Sequence, residues 1–243
     1  MGHLGAKSLL MLAIDTCGPA GSTALGRLRG SETELGATPG LISRGSNKVS
    51  VEILGQVELE GRSYSARLVT AVGDLLGGHG VKLQDVGCIV AVNGPGSFTG
   101  VRVGLSAAKG FAMSVRMPVV AVSRLAVLAG KAEVDVAALD AHRGEVFVRV
   151  GERELLAGVE ELAEIAAPER VAVCDEAAAK VLRTAWADAE LIEIAAPTAS
   201  DALRQAAPSV LAGDFVDIAL LDGNYLRRPD AEIAAESRSG APK

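Results

Sequence analysis

Twice along the chain a short apolar run ends on an aspartate: Leu9-Leu10-Met11-Leu12-Ala13-Ile14 leads into Asp15, and the stretch from Val134 closes on Ala138-Leu139-Asp140. Runs of this length bounded by turn residues are the pattern of buried strands, and they are too short to span a membrane. Gly18, Pro19 and Gly21 supply a turn after the first, with Ser22–Leu28 as a return strand. Glu145–Val150 is the corresponding return strand after the second. Residues 29–61 are rich in Gly, Ser, Thr and charge, with an alternating piece around Val49–Ile53, which predicts hairpin strands with a long exposed connection. From Ser63 the period becomes helical, with Leu68, Val69, Val72, Leu75 and Leu76 on it and Gly77-Gly78 at its end. Cys88–Val92 is a second buried run and feeds Gly94-Pro95-Gly96-Ser97-Phe98-Thr99-Gly100. A helix follows to about Val115, then a strand at Val119–Val122 and a helix from Arg124 capped by Ser123. Val171-Ala172-Val173-Cys174 parallels Val90-Ala91-Val92-Asn93. The order strand, strand, helix, strand, helix, strand, helix thus occurs twice, which predicts an α/β chain of two units hinged near residue 130. The first is expected over 8–130 with an insertion at 29–61, the second and smaller over 131–230, and a disordered tail over 231–243.

Several function classes fall away on composition. The 243 residues are 49% hydrophobic, enough for a sizeable core, but only 3% aromatic. That leaves few rings for stacking unpaired bases. The net charge of −6 lacks the basic surplus with which a chain grips RNA unaided. Cys17, Cys88 and Cys174 are too far apart in sequence for a disulfide framework or a CxxC metal site, which fits reduced thiols in a cytoplasmic chain. His3, His79 and His142 have no histidine neighbour at helical spacing, so no metal site is expected. A solvated side chain is expected for His79. No Gly-x-Ser-x-Gly elbow accompanies Asp140 and His142, so a Ser-His-Asp hydrolase is disfavoured.

The loop from Gly94 to Gly100 carries the most chemistry. A Gly-rich approach to a helix capped by Ser97 or Thr99 can offer backbone N–H groups to an anion. It is neither a Walker A loop nor the dinucleotide fingerprint. Asp15, Thr16, Gly94, Gly96, Ser97 and Thr99 are the candidate anion- or nucleotide-binding residues, alongside the plain reading of a turn that binds nothing. Asp15 and Asp140 at equivalent strand ends would suit a nucleotide cleft, but without a nearby lysine the clamp for phosphoryl transfer is incomplete. In the following helix, Val101, Val103, Leu105, Ala107, Ala108, Phe111, Ala112, Met113 and Val115 cover nearly every angle around the axis. A helix apolar all round needs cover on both sides, and Gly100, Gly104 and Ala108 form a small-residue stripe suited to a second helix. The expected interface residues are Leu68, Val72 and Leu75 on the preceding helix and Val101, Gly104, Leu105, Ala108, Phe111 and Ala112 on this one.

Leu12-Ala13-Ile14-Asp15-Thr16, Gly94–Gly104 (GPGSFTGVRVG), Asp140-Ala141 with Gly144-Glu145-Val146, and Tyr225-Leu226-Arg227 together resemble the TsaB (YeaZ) family of tRNA threonylcarbamoyladenosine biosynthesis subunits. The likeness runs from residue 9 to about 228. It implies two tandem RNase H-like domains of the actin and sugar-kinase superfamily, with mixed β-sheets flanked by helices. It also implies a non-catalytic subunit that activates TsaD, which modifies adenosine 37 of tRNAs reading ANN codons. The helices matching Ser63–Leu76 and Thr99–Val115 would pack against TsaD, or against a second copy in an isolated homodimer. TsaE would join the complex, and tRNA would be met only within it, with no membrane involved. No cofactor is required of this chain; ATP or ADP would bind weakly or at a complex interface. Tyr64-Ser65, His142 and Gly223 depart from the family pattern. The alternative is a small-molecule kinase or ATPase of the same superfamily.

Overall fold

A computed structural model describes residues 8–30, 50–59 and 64–227. The expected tail at 231–243, most of the 29–61 connection and the residues just before the first helix lie outside these. β1 (Ser8–Asp15) is apolar along its length because it is paired on both edges and covered on both faces. It runs antiparallel to β2 (Gly21–Arg29) and parallel to β4 (Cys88–Val92). β3 (Ser50–Leu59) adds to the outer edge of β2 with a bulge at Leu25/Gly26, and β5 (Val119–Val122) extends the parallel side. The sheet order is β3-β2-β1-β4-β5.

The second sheet repeats this order. β6 (Val136–Asp140) is central, antiparallel to β7 (Val146–Val150), which pairs with β8 (Arg153–Ala157). On the other side β6 runs parallel to β9 (Arg170–Val173) and then to β10 (Glu190–Glu193). Strand β8 has no counterpart in the sequence expectation, since Arg153-Glu154 masks its alternation.

α1 (Tyr64–Gly78) and α2 (Phe98–Val115) lie side by side on one face of the first sheet. The neighbouring helices then cross over. α3 (Arg124–Ala132) follows β5 of the first sheet yet packs on β6, β7 and β9 of the second, with Leu125 and Leu128 inside that core. α4 (Val159–Ala163) and α5 (Glu176–Ala185) cover the other face of the second sheet, where Trp186 donates its indole N–H to the Leu162 carbonyl at 2.9 Å. α6 (Ala199–Ala212) follows β10 but returns to the first sheet, burying Ala202, Leu203, Ala206 and Val210 there. A division at residue 130 therefore separates the sheets and not the helices that cover them.

Ser97 caps α2 by accepting from Gly100 N, and Ser123 caps α3 by accepting from Leu125 and Ala126 N. Each hydroxyl satisfies N–H groups that the first helical turn leaves open. His79 is exposed, as expected, yet it is also tethered. Its ring nitrogens sit 2.9 Å from the Leu75 carbonyl and 2.8 Å from that of Leu54, tying the end of α1 to β3.

Candidate docking face and interlobe cleft

The helix after the Gly-Pro-Gly loop is not apolar all round. Gly100, Val101, Gly104, Leu105, Ala108 and Ala112 face inward, while Thr99, Arg102, Ser106, Gly110 and Met113 form an open stripe spaced by three and four residues. The apolar tally hid this because half-buried Val103, Ala107, Phe111 and Val115, with exposed Met113, widen the apolar arc without closing it. Among the expected interface residues, Leu68, Val72, Leu75, Val101, Gly104, Leu105, Ala108 and Ala112 are all buried in the chain's own core, and Phe111 is half-buried. They pack against the first sheet and between the helices, which excludes them from a free docking surface. The stripe of Gly100, Gly104 and Ala108 receives no second helix either. The Thr16 turn lies on it: Thr16 Oγ1 donates to the Gly100 carbonyl at 2.6 Å, and a β-carbon at Gly100 would collide with the Thr16 carbonyl.

What remains open on this side consists of two stripes. On α1 it is Ala66, Val69, Thr70 and Gly73, with Val69 60% exposed; on α2 it is the stripe already named, with Met113 68% exposed. A β-carbon at Gly73 or Gly110 would meet nothing within 4 Å. Small side chains at such positions let another element approach the helix axes closely. At the cleft end of α2, Arg102 lies over the Phe98 ring at 3.9 Å, and Tyr225 packs against Phe98 with ring centres 5.1 Å apart and ring planes tilted by 46°. The spacing of Arg102, Ser106 and Gly110 at i, i+4 and i+8 is the sequence signal that would have located this face.

Behind the helix pair, a cleft of about 1010 Å³ separates the two sheets at the ends of their central strands. Its first wall holds Cys17, Gly96, Ser97 and Phe98, its second Asp140, His142, Phe147 and Asp175, and residues 224–227 close one side. Of the six anion-binding candidates, Gly96 and Ser97 line it. Asp15 and Thr16 are buried beneath, Gly94 packs on the Asn224 backbone, and Thr99 points out to solvent. The loop is occupied by its own chain. Ser97 N donates to the Cys17 carbonyl at 2.8 Å, Arg124 N donates to the Gly94 carbonyl at 2.6 Å, and Gly96 has no room for a β-carbon against Cys17. These contacts lock a turn; they do not gather donors around a vacant centre.

The acid at the end of β1 has an internal cation. Arg124 Nε stands 3.4 Å from Asp15 Oδ2, with the two side chains 6% and 2% exposed, in a direction that makes no hydrogen bond. Asp15 Oδ1 accepts from Cys17 N at 2.9 Å. Burial opposes the guanidinium charge, but Asp15, Cys17 and Cys174 outweigh it and hold Arg124 above its ordinary value. Burial, reinforced by Asp15, pushes the Cys17 thiol well above the usual range. The lone arginine after Ser123, inside an otherwise apolar helix start, was the sequence cue for this pair.

Asp140 occupies the same place on β6 under different conditions. Its Oδ2 is 2.7 Å from His142 Nδ1, with side chains 24% and 84% exposed. The Asp140 amide donates to Asp175 Oδ2 at 3.1 Å, while Asp175 Oδ1 caps α5. No group of three or more histidine, cysteine or acidic side chains that could hold a metal occurs among the described residues. Nor is any helix among them long and apolar enough to cross a membrane.

Comparison with known proteins bears on this arrangement. The model of the family described as TsaD, tRNA N6-adenosine threonylcarbamoyltransferase, matches residues 57–182, just over half of the chain. The tRNA threonylcarbamoyladenosine biosynthesis protein TsaB of Haemophilus influenzae is 33% identical over 58% of this chain and 53% of its own length. The protein of the same name from Escherichia coli is 38% identical over 37% of this chain and 42% of its own. The chain thus aligns with about half, or less, of the length of these curated relatives. A crystal structure from Pseudomonas aeruginosa, titled as an uncharacterized protein with similarity to peptidase YEAZ, superposes with a TM-score of 0.66 at 28% identity, covering 90% of this chain and all of that one. A family match over more than half the chain and a shared fold over nearly all of it lead to one assignment: this chain belongs to the TsaD-type family and, within it, to the TsaB/YeaZ group.

Proposed function

We propose that this chain is a non-catalytic, activating subunit in tRNA threonylcarbamoyladenosine biosynthesis. It docks a TsaD-type partner through the open stripes of α1 and α2 and supports modification at position 37 of tRNAs reading ANN codons. The observation that carries the reading is a pair of exposed stripes, Ala66, Val69, Thr70 and Gly73 on α1 and Thr99, Arg102, Ser106, Gly110 and Met113 on α2, on two helices whose inner faces are buried against the first sheet. Buried helix faces fix their positions on the first sheet, so a partner meets a rigid surface and gains apolar contact at Val69 and Met113 without reordering it. Engagement there would favour the competent arrangement of the partner. In isolation the same face would pair two copies, TsaE would join the complex, and tRNA would be bound by the assembly as a whole.

The reading also takes the two sheets, with their repeated strand order, as two tandem RNase H-like domains of the actin-like superfamily, within 8–130 and 131–230. It requires no cofactor of this chain, because the acid that a phosphoryl-transfer site would use is engaged by Arg124. Co-purification with TsaD tests the docking. Gly110→Arg and Met113→Asp are expected to abolish it while circular dichroism stays unchanged, and retention of TsaD by both folded variants would reject this face. Leu105→Arg is unsuitable, since it would place a charge in the core.

A further inference from the structure

Among the described residues the chain crosses between the two sheets three times, and the crossings are not held alike. The first, into α3, and the second, into α6, are fixed by helices buried against the opposite sheet. The third is residues 222–227, a stretch without helix or strand that lies along the edge of the cleft. Its start is anchored by Leu221 in the first core, and Leu226 packs against the core around α3. Between these points a single residue binds both halves. Asn224 N donates to the Asn93 carbonyl at the end of β4 (2.7 Å), and Asn224 Nδ2 donates to the Glu154 carboxylate of β8 (2.5 Å). Arg149 holds that carboxylate from its other oxygen at 2.8 Å. Tyr225 packs against Phe98 on the first side, while Arg227 pairs with Glu145 on the second.

We propose that residues 222–227 form a strap that latches the two sheets across the cleft, and that releasing it opens the cleft while leaving both cores intact. Apart from the packing of Tyr225 and Leu226, its contacts are hydrogen bonds and an ion pair, which water replaces on opening. Those of α3 and α6 are apolar and cannot be replaced that way. A segment held by a few partly exposed hydrogen bonds belongs to the low-stability end of a fold. Closure of two bodies about a few connecting residues is a recurring kind of transition.

The three cysteines provide the readout. Cys17 borders the cleft from within the first core, its thiol donating to the Val92 carbonyl at 3.3 Å, Cys174 lines the opposite wall half-exposed, and Cys88 is buried inside the first sheet. The full chain would be labelled with N-ethylmaleimide at pH 8, with each cysteine followed by mass spectrometry. Asn224→Ala is expected to speed labelling of Cys17 by about tenfold or more, the fold-change for one lost hydrogen bond to a charged group. The Asn224→Ala/Tyr225→Ala double variant should go further, and Glu154→Gln should give a smaller rise in the same direction. Cys88 should remain unmodified throughout. Unchanged Cys17 labelling in the double variant overturns the proposal. So does a common rise of Cys17 and Cys88, which would make the segment part of the global fold.

Discussion

Asp15 and Asp140 end equivalent central strands in sheets of the same order, yet one is sealed and the other open. Asp15 lies under the turn from β1 to β2 with a buried arginine from α3, whereas Asp140 faces the cleft with an exposed histidine from its own hairpin. The difference comes from what stands over each strand end. Above β1 the Gly-Pro-Gly loop and α2 press directly onto the turn, through glycines that leave no gap. Above β6 the tight hairpin at His142-Arg143-Gly144 leaves the acid beside solvent. A repeated topology thus fixes where an acid stands and says little about its charge environment, which is set by the loops.

Removing the cation from the sealed end should have the largest effect. Arg124→Leu leaves a carboxylate buried without its partner and is expected to cost about 3–5 kcal/mol in urea unfolding. The next contrast is between thiols. Burial pushes Cys88 up to about 12, whereas Cys174, half-exposed on the cleft, is raised less far by the same cause. On unfolding, the Cys88 thiol ionises near its ordinary value of about 8.5. Its contribution is therefore complete below that pH and is lost as pH rises toward about 12, at about 1.4 kcal/mol per pH unit. Cys88→Ala should flatten that slope more than Cys174→Ala in stability measured from pH 8 to 11.

Two glycines on opposite faces of α2 give a third contrast. Gly100→Ala drives a methyl into the Thr16 carbonyl and should destabilise by about 1–3 kcal/mol. Gly110→Ala, in open space, should stabilise by about 0.5–1 kcal/mol through helix propensity, both measured by thermal unfolding. Asp140→Asn breaks a solvent-exposed pair and should change stability by less than about 1 kcal/mol. A cost equal to that of Arg124→Leu would erase the distinction between the two strand ends.

Much of the fold was legible because continuous apolar runs leave few alternatives to buried strands. Cys88–Val92 and Val119–Val122 coincide with β4 and β5, and Ser97 and Ser123 cap the helices they precede. The crossing of α3 and α6 was not legible, since an apolar face does not record which sheet it covers. The expected interface residues lie in the core for a related reason: counting apolar positions selects the core, whereas the exposed stripes combine Gly, Ala, Ser and Thr with Val69, Arg102 and Met113 and carry little hydrophobic signal. The anion candidates were drawn from a loop whose glycines permit two arrangements. One cradles a ligand and the other admits a neighbouring turn, and the Thr16–Cys17 backbone takes the second.

Met113 offers the most direct test of the docking face, because it is the exposed methionine on α2 while Met11 and Met117 are buried. Methionine oxidation by hydroxyl radicals, followed with and without TsaD, reads its accessibility in the unmodified chain. Slowing of Met113 oxidation by severalfold in the complex, with Met11 and Met117 unaffected, is the predicted result. A formed complex in which Met113 oxidises as fast as in the free chain would contradict the assignment of this face.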